Sequence, residues 1–488
     1  MRQIAAVGGA NDARAPTYGG PRLGNQLSAW LCEARCELLR KDETRARCEA
    51  VTEEYVKICS LYGAGYYYIP GTDICLKFGG WVRYQHTWGA GGAVGTQPFT
   101  QTSSRNTRTD TAHHFQRTRM ILSVDTRQQT AYGTLRTYLT HGFSHDGEGA
   151  VAGLYSRRAF IQIAGFTFGR ATSFFDLFST ASFAYNAGSI YAPDTGDAGQ
   201  TVAAYTAQFG NGFSATVSLE ASKRMGSYNA VAPGLPAAVF GTPASSILAS
   251  QYPDVVANIR LDQAWGSVMV AGVIKDASGG YYGATEPTGH PGDKLGWGVT
   301  GAFTLNLPMI APGDRLAAQI NYTEGAARYA SNNVGVSVGN YAGQTVGFGF
   351  VGDSVFSATG TTGVHLTTAW SVAAGFEHLW TPALRTSLYG SYAAFSYNSA
   401  AKTLLCGATV GCDPNFSMWS LGSRTQWEPV RGLIMGVDVM YQQLNTMKPD
   451  STGSVVLAAN GAKAAGTYTV SDQHQWYGTF RIQRDWVP

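Results

Sequence analysis

The 488-residue sequence has no run of about 18 apolar residues, so no part of it reads as a transmembrane helix. A membrane β-strand stays open as a reading, because it needs only about 9–11 residues of which every second one is apolar. Charge is scarce as well. Asp, Glu, Lys and Arg make up 14% of the chain, against roughly 25% in an average soluble domain. The net charge of +3 is spread along the sequence, which speaks against a nucleic-acid partner, since that would want a concentrated basic face. The opening MRQIAAVGGANDARAP lacks the apolar core of a secretory signal peptide, although the readings below lead one to expect such a peptide.

Catalytic patterns are missing too. The nine histidines are scattered, and His141 and His145 lie in the glycine-containing HGFSHDGEG rather than on a helix that would aim both at one metal. No nucleophile elbow or phosphate loop stands in a strand–helix context, so no enzyme activity, catalytic residue or cofactor is expected. Cys32, Cys36 and Cys48 have a spacing that suggests a metal site, but no fourth ligand lies nearby and none is expected.

What is present is glycine and aromatic side chains: 60 Gly, 26 Tyr, 22 Phe and 11 Trp, a β composition. Two further cysteine pairs are local. Cys59 and Cys75 bracket LYGAGYYYIPGTDI, and Cys406 and Cys412 bracket GATVG. Both read as disulfides closing small loops in an oxidising compartment, with buried free thiols as the alternative.

From about residue 75 the hydrophobic period is two. Leu76, Phe78, Val82 and Tyr84 fall on one face, and Lys77, Trp81, Arg83 and Gln85 on the other. Leu316, Ala318, Ile320 and Tyr322 stand opposite Arg315, Gln319 and Asn321. Leu433, Met435, Val437, Val439 and Tyr441 face away from Asp438 and Gln442, and Trp476, Phe480 and Ile482 away from Tyr477, Thr479, Arg481 and Gln483. Short turns are expected at Asn211-Gly212, at Trp380-Thr381-Pro382 and between Glu428 and Gly432. Between these lie long polar stretches, 223–250, 275–295, 323–360 and 444–472, which read as too polar to lie in a core. Short connections at one end and long ones at the other point to a closed antiparallel barrel in an outer membrane; a β-sandwich or propeller is the soluble alternative, and would leave many edges uncovered. Trp88, Trp370, Trp380, Trp427, Trp476 and Trp486 sit at strand ends and suit interfacial girdles.

The stretch EYVKICSLYGAGYYYIPGTDICLKFGGWVRYQ, Glu54 to Gln85, resembles the start of the mature chain in the alphaproteobacterial (rhizobial) outer-membrane porins. The resemblance continues through RTRMILSVDTRQQTAYGTLRTY, FIQIAGFTFGRATSFFD, PDVVANIRLDQAWGS, GCDPNFSMWSLGSRTQW and WYGTFRIQR, so it covers essentially everything after residue 54. It implies an all-β, transmembrane antiparallel barrel of about sixteen strands with short periplasmic turns and long external loops. It also implies a multi-pass location in the cell outer membrane, among lipid and lipopolysaccharide, and a homotrimer passing small hydrophilic solutes and ions without a cofactor. Residues 1–53 resemble neither the signal peptide nor the lead of that family. About half the positions from Cys32 to Lys57 are charged, and the segment is expected to be disordered or helical, a start-site or reading-frame artefact rather than an added domain. The barrel is then expected over 54–488.

Channel chemistry is electrostatics in a wet pore. Arg83 on the first strand, Arg117 and Arg119 two apart on the second, and Arg136 on the third are the candidates for a basic side of a constriction, ordinary lumen arginines being the alternative. The segment 171–200, entered through FGRATSFFD, corresponds by that resemblance to the external loop that folds into the barrel. Phe174, Phe175, Leu177 and Phe178 would anchor it to the wall, and Asp176, Asp194 and Asp197 would oppose the arginines across a transverse field. Asp176, flanked by aromatics, has a second reading as part of a hydrogen-bond network that pins the loop. Rival functions are a substrate-selective channel for sugars or anions, and a structural or adhesive surface barrel whose loops do the binding.

Overall fold

A computed structural model describes residues 57–89, 99, 114–146, 153–196, 198–230, 251–283, 286–357 and 362–486. Asp197, and Cys32, Cys36 and Cys48 with the rest of 1–56, lie outside the described residues. Sixteen strands form the wall: β1 (Cys75–Gly89), β2 (His114–Thr130), β3 (Gly133–Asp146), β4 (Gly153–Ile163), β5 (Phe166–Ala171), β6 (Gln200–Gly210), β7 (Phe213–Glu220) and β8 (Asp254–Gln263), then β9 (Gly266–Asp276), β10 (Leu295–Asn306), β11 (Arg315–Glu324), β12 (His365–Thr381), β13 (Leu384–Tyr397), β14 (Phe416–Val430), β15 (Leu433–Asn445) and β16 (Gln473–Asp485). Each pairs antiparallel with its neighbours in sequence. The wall closes where β1 meets β16, from Trp81 opposite Asp485 to Gly89 opposite Tyr477. Closure leaves no unpaired edge, which is the condition for strands to stand in hydrocarbon.

Connections are short at one end and long at the other. Asn211 and Gly212 both take positive φ (50° and 76°), the mirror-image turn whose twist suits a two-residue hairpin. The other two turns fall at the far end of the expected stretches, at Pro382-Ala383 and Arg431-Gly432, because the strands run on through a bulge to Thr381 and Val430. On the outer face Val217, Val270, Ile320, Leu388 and Leu421 are each more than half exposed. An apolar surface of that extent around the whole wall is far larger than soluble proteins show, and its solvent is lipid. Trp380, Trp427 and Trp486 mark the short-turn end of this belt, and Trp88, Trp370 and Trp476 lie toward the long-loop end; all six are exposed.

The long stretches differ from expectation in one respect. Residues 323–360 do not lie outside a core; they supply much of the largest buried cluster, with Val338, Tyr341, Val346, Phe348, Phe350 and Val355 all nearly inaccessible. The spacing explains it. In Thr345–Phe350 each apolar residue is separated from the next by glycine, so the pleat is apolar even though the average composition is not. Strands 337–342 and 345–350 join 466–470 and 454–457 in a four-stranded sheet above the barrel. A buried ion pair ties it down: Lys275 Nζ at the end of β9 is 2.7 Å from Asp353 Oδ2, and both side chains are shielded from solvent.

Both local disulfides are present, Cys59–Cys75 and Cys406–Cys412. The first folds residues 59–74 onto the short-turn end of the wall, where the rings of Tyr62 and Tyr66 lie 5.6 and 5.2 Å from the Arg127 guanidinium. A crosslink closing a loop of this size stabilises by about 3 kcal/mol. Double substitution of Cys59 and Cys75 by serine should therefore expose 60–74 to protease while the circular dichroism of the barrel stays unchanged. Undiminished protection would show that the Tyr66 and Arg127 contacts suffice alone.

Candidate functional site: an in-folded loop and a basic wall

After β5 the chain leaves the wall, and residues 172–196 run inside the barrel. Its entry is fixed by Glu220 of β7, whose carboxylate accepts from Ser173 Oγ at 2.6 Å and from the Phe174 N–H at 2.9 Å. Farther along, Gln319 of β11 donates to Phe175 O (3.2 Å) and accepts from the Phe178 N–H (3.0 Å). Ser387 of β13 donates to Phe183 O (2.6 Å), and Asp438 of β15 accepts the Tyr185 N–H (2.5 Å). At the tip Asn186 meets Thr479 of β16 (2.6 Å) and Gln85 of β1 (3.4 Å). The inward polar side chains of these strands, Gln319, Asp438, Gln442 and Thr479, are buried because the loop covers them.

Apolar contacts do the rest. Phe175 is fully buried and meets the Tyr329 ring edge-on at 5.0 Å. Phe178 is 1% exposed and stacks on Phe183 at 5.5 Å. Phe174 and Leu177 are partly buried against the Phe175 cluster. Gly375 of β12 leaves the space for Phe183: a Cβ there would collide with the ring.

Two of the three expected pore-facing acids, Asp176 and Asp194, border the open lumen beside the loop and are also tied into the loop's own hydrogen bonds. Asp176 Oδ2 accepts from Thr195 N and Oγ1, both at 2.8 Å. Asp194 accepts from Thr180 N at 2.8 Å, Thr180 Oγ1 at 2.7 Å and Gly196 N at 2.7 Å. Each joins the outgoing limb of the loop to the returning one, and each is under a tenth exposed. Burial pushes the Asp176 carboxyl up to about 7 against the pull of Lys223. Because the folded loop then holds the proton more tightly than the unfolded chain, the support this group lends the loop declines as pH rises from the ordinary carboxylate range toward 7. Among the described residues of the loop, the exposed positions are neutral: Thr172, Ser179, Ala181 and Ala198.

The arginines are spread in height. Arg83 and Arg119 face each other in register on β1 and β2, and Arg117 lies one inward position nearer the long-loop end. Arg117 is held in a fork by Asp146, Nε and Nη2 each 2.6 Å from a carboxylate oxygen. Arg136 belongs elsewhere. It pairs with Arg127 across β2–β3, eight residues along β2 from Arg119, or about 26 Å of strand, and both share Asp125, at 2.8 and 3.2 Å.

Beside the loop the lumen stays open as a cavity of about 900 Å³, whose polar lining includes Arg158, Gln162, Thr167, Gln208, Thr216 and Arg260. Arg158 donates to Gly196 O of the loop at 2.6 Å. Four further arginines reach the loop region from the later strands: Arg315, Arg385, Arg424 and Arg481. The period-two pattern places Arg315 and Arg481 on the polar face, so that signal was in the sequence, on strands later than those of Arg83 to Arg136.

The porin subfamily matches residues 44–479 of this chain. Porin Omp2b of Brucella melitensis is 33% identical over 235 residues, a span of 45% of this chain and 56% of that protein. The same porin of Brucella canis is 32% identical over a span of the same size. The chain thus matches little more than half the length of these curated relatives. Among solved structures, the outer membrane channel DcaP of Acinetobacter baumannii aligns with a TM-score of 0.55, over 86% of this chain and 99% of that one, at 13% identity; this is a likeness of fold alone. With a match that runs from before β1 into β16, the chain belongs to the porin subfamily, as a multi-pass β-barrel of the outer membrane.

Proposed function

We propose that the protein is a passive, water-filled channel for small hydrophilic solutes and ions, assembled as a homotrimer within outer-membrane lipid and lipopolysaccharide. One observation carries the reading. The in-folded loop packs on inward side chains of β11, β13, β15 and β16 but leaves open a cavity whose polar lining comes from β4 to β10, so the barrel holds a hydrophilic path instead of a packed core. In this reading Arg83 and Arg119 form the basic side of the narrow region with Arg117 above them, and Asp176 and Asp194 act by keeping the loop folded. Arg136, with Arg127 and Asp125, shapes the short-turn mouth. The family resemblance supports a trimer, and the apolar outer belt offers a surface for it.

Purified protein in a planar bilayer should give discrete conductance steps, with current linear in solute concentration. Absence of steps would favour the surface-barrel reading, in which the loop sheet closes the mouth; saturable block by one sugar would favour a selective channel. Arg119→Glu should shift the reversal potential toward cations, with a change in permeability ratio on the order of fivefold. An unchanged potential would remove Arg119 from the narrow region.

A further inference from the structure

On the short-turn side of the in-folded loop lies a second pocket, of about 230 Å³, that a passive channel does not require. Its roof is the loop itself, Ala181, Ser182 and Tyr185. Its walls carry Arg83, Arg315, Arg385, Arg424 and Arg481 against a single carboxylate, Glu377 of β12. Strand polarity fixes the height. Arg315 opens β11 and Arg385 is the second residue of β13, so both lie nearer the turns than Gln319 and Ser391, which hold the loop.

The charges there do not balance. Glu377 is shared, 3.0 Å from Arg315 and 3.0 Å from Arg424. Arg385 donates to the neutral Gln426 at 3.0 Å, and Arg481 to the neutral Gln85 and to Tyr185 O at 2.6 and 2.9 Å. Arg424 is 4% exposed, and its Nε is buried with no hydrogen-bond partner. Asp438, near Arg424 and Arg481, already accepts from Tyr389 Oη and the Tyr185 N–H. Holding the loop explains Arg315, Arg424 and Arg481, which grip Ser182 O or Tyr185 O. It does not explain Arg385, whose hydrogen bond runs along the wall to β14. Like charges gathered in a partly desolvated pocket repel one another, and an anion relieves that repulsion. The planar N–H forks of guanidinium match an oxyanion better than a monatomic ion.

We propose that this pocket binds a small tetrahedral oxyanion, a phosphate group, on the periplasmic side of the loop. The assignment rests on the channel reading for its purpose, as a station for anionic solutes leaving the narrow region; binding itself needs only the folded barrel. Equilibrium dialysis of inorganic phosphate against the purified, detergent-folded full chain tests it. The parent should bind saturably, Arg385→Gln about tenfold more weakly, and Glu377→Gln more tightly, because the one competing carboxylate is gone. A merely structural role would weaken binding in both variants alike. Heat-modified migration on gels confirms that each variant is folded. Competition by glucose 6-phosphate would support a phosphoryl group carried by a passing solute, and its failure beside saturable phosphate binding would support the free ion. No saturable binding by the parent, or equal binding by the parent and Arg385→Gln, overturns the site. Conductance steps are read separately in the bilayer, so loss of the channel reading and loss of the oxyanion site are distinguishable.

Discussion

Channels carrying Phe178→Ala should conduct in larger and noisier steps than the parent protein in a planar bilayer. Phe178 is 1% exposed, stacked on Phe183 and set against Ala317, Ala373 and Tyr389 of the wall. Truncating a buried phenylalanine costs about 3–5 kcal/mol, part transfer and part cavity. Here the loss falls on the loop and not on the barrel, whose strand ladders do not depend on it. Phe175 keeps its own seat near the loop's entry, but around Phe178 the remaining anchors are polar bonds to the wall, which compete with water once the ring no longer excludes it. The loop should then leave its seat for part of the time and the path should widen. Unchanged step size and noise in a folded variant would mean that the other ring contacts and the hydrogen bonds seat the loop without Phe178.

The second large effect is expected at the mouth, from Asp353→Ala. Asp353 Oδ2 accepts from Lys275 Nζ (2.7 Å) and the Met225 N–H (2.9 Å), while Oδ1 accepts from the Ala327 N–H (3.0 Å). One carboxylate therefore ties β9 to the loops after β7 and β11. Its removal leaves an ammonium that is inaccessible to solvent with only the Lys223 carbonyl, at 2.6 Å, as partner, and breaking such a buried pair costs about 3–5 kcal/mol. Hydrogen exchange should rise over 337–357 and 454–470 while the wall strands keep their protection. Protection retained over 337–357 would show that the Val338–Phe350 cluster holds the sheet without the ion pair.

Much of the barrel was legible because its code is local. Alternation of period two assigns Ile320 and Val437 to one face and Gln319 and Asp438 to the other whatever the rest of the chain does, and positive φ at Asn-Gly marks a hairpin within two residues. Local cysteine spacing likewise pointed to both disulfides. The loop sheet was missed because judging 323–360 by its average polarity hides an apolar pleat whose alternate positions are glycine.

The candidate site was harder to read, for a physical reason. A lumen constriction is built from side chains that sequence holds far apart. Arg83 faces Arg119 because β1 and β2 pair in one register, and Arg136 lies at another height because Arg127, not Arg119, is its partner. Arg315 and Arg481 belong beside Arg424 only because a closed wall brings β11, β14 and β16 around one loop.

The stretch FFDLF shows the division most clearly. By itself the sequence determined that this segment was no strand, that its rings needed burial and that alternating strands preceded and followed it. That Asp176 ties the two limbs of the loop together while bordering the lumen depended on where Thr195 lay, nineteen residues on. Only the tertiary structure decided that, because a carboxylate's role is set by the partners that fold around it, while the period of a strand is set by the backbone alone.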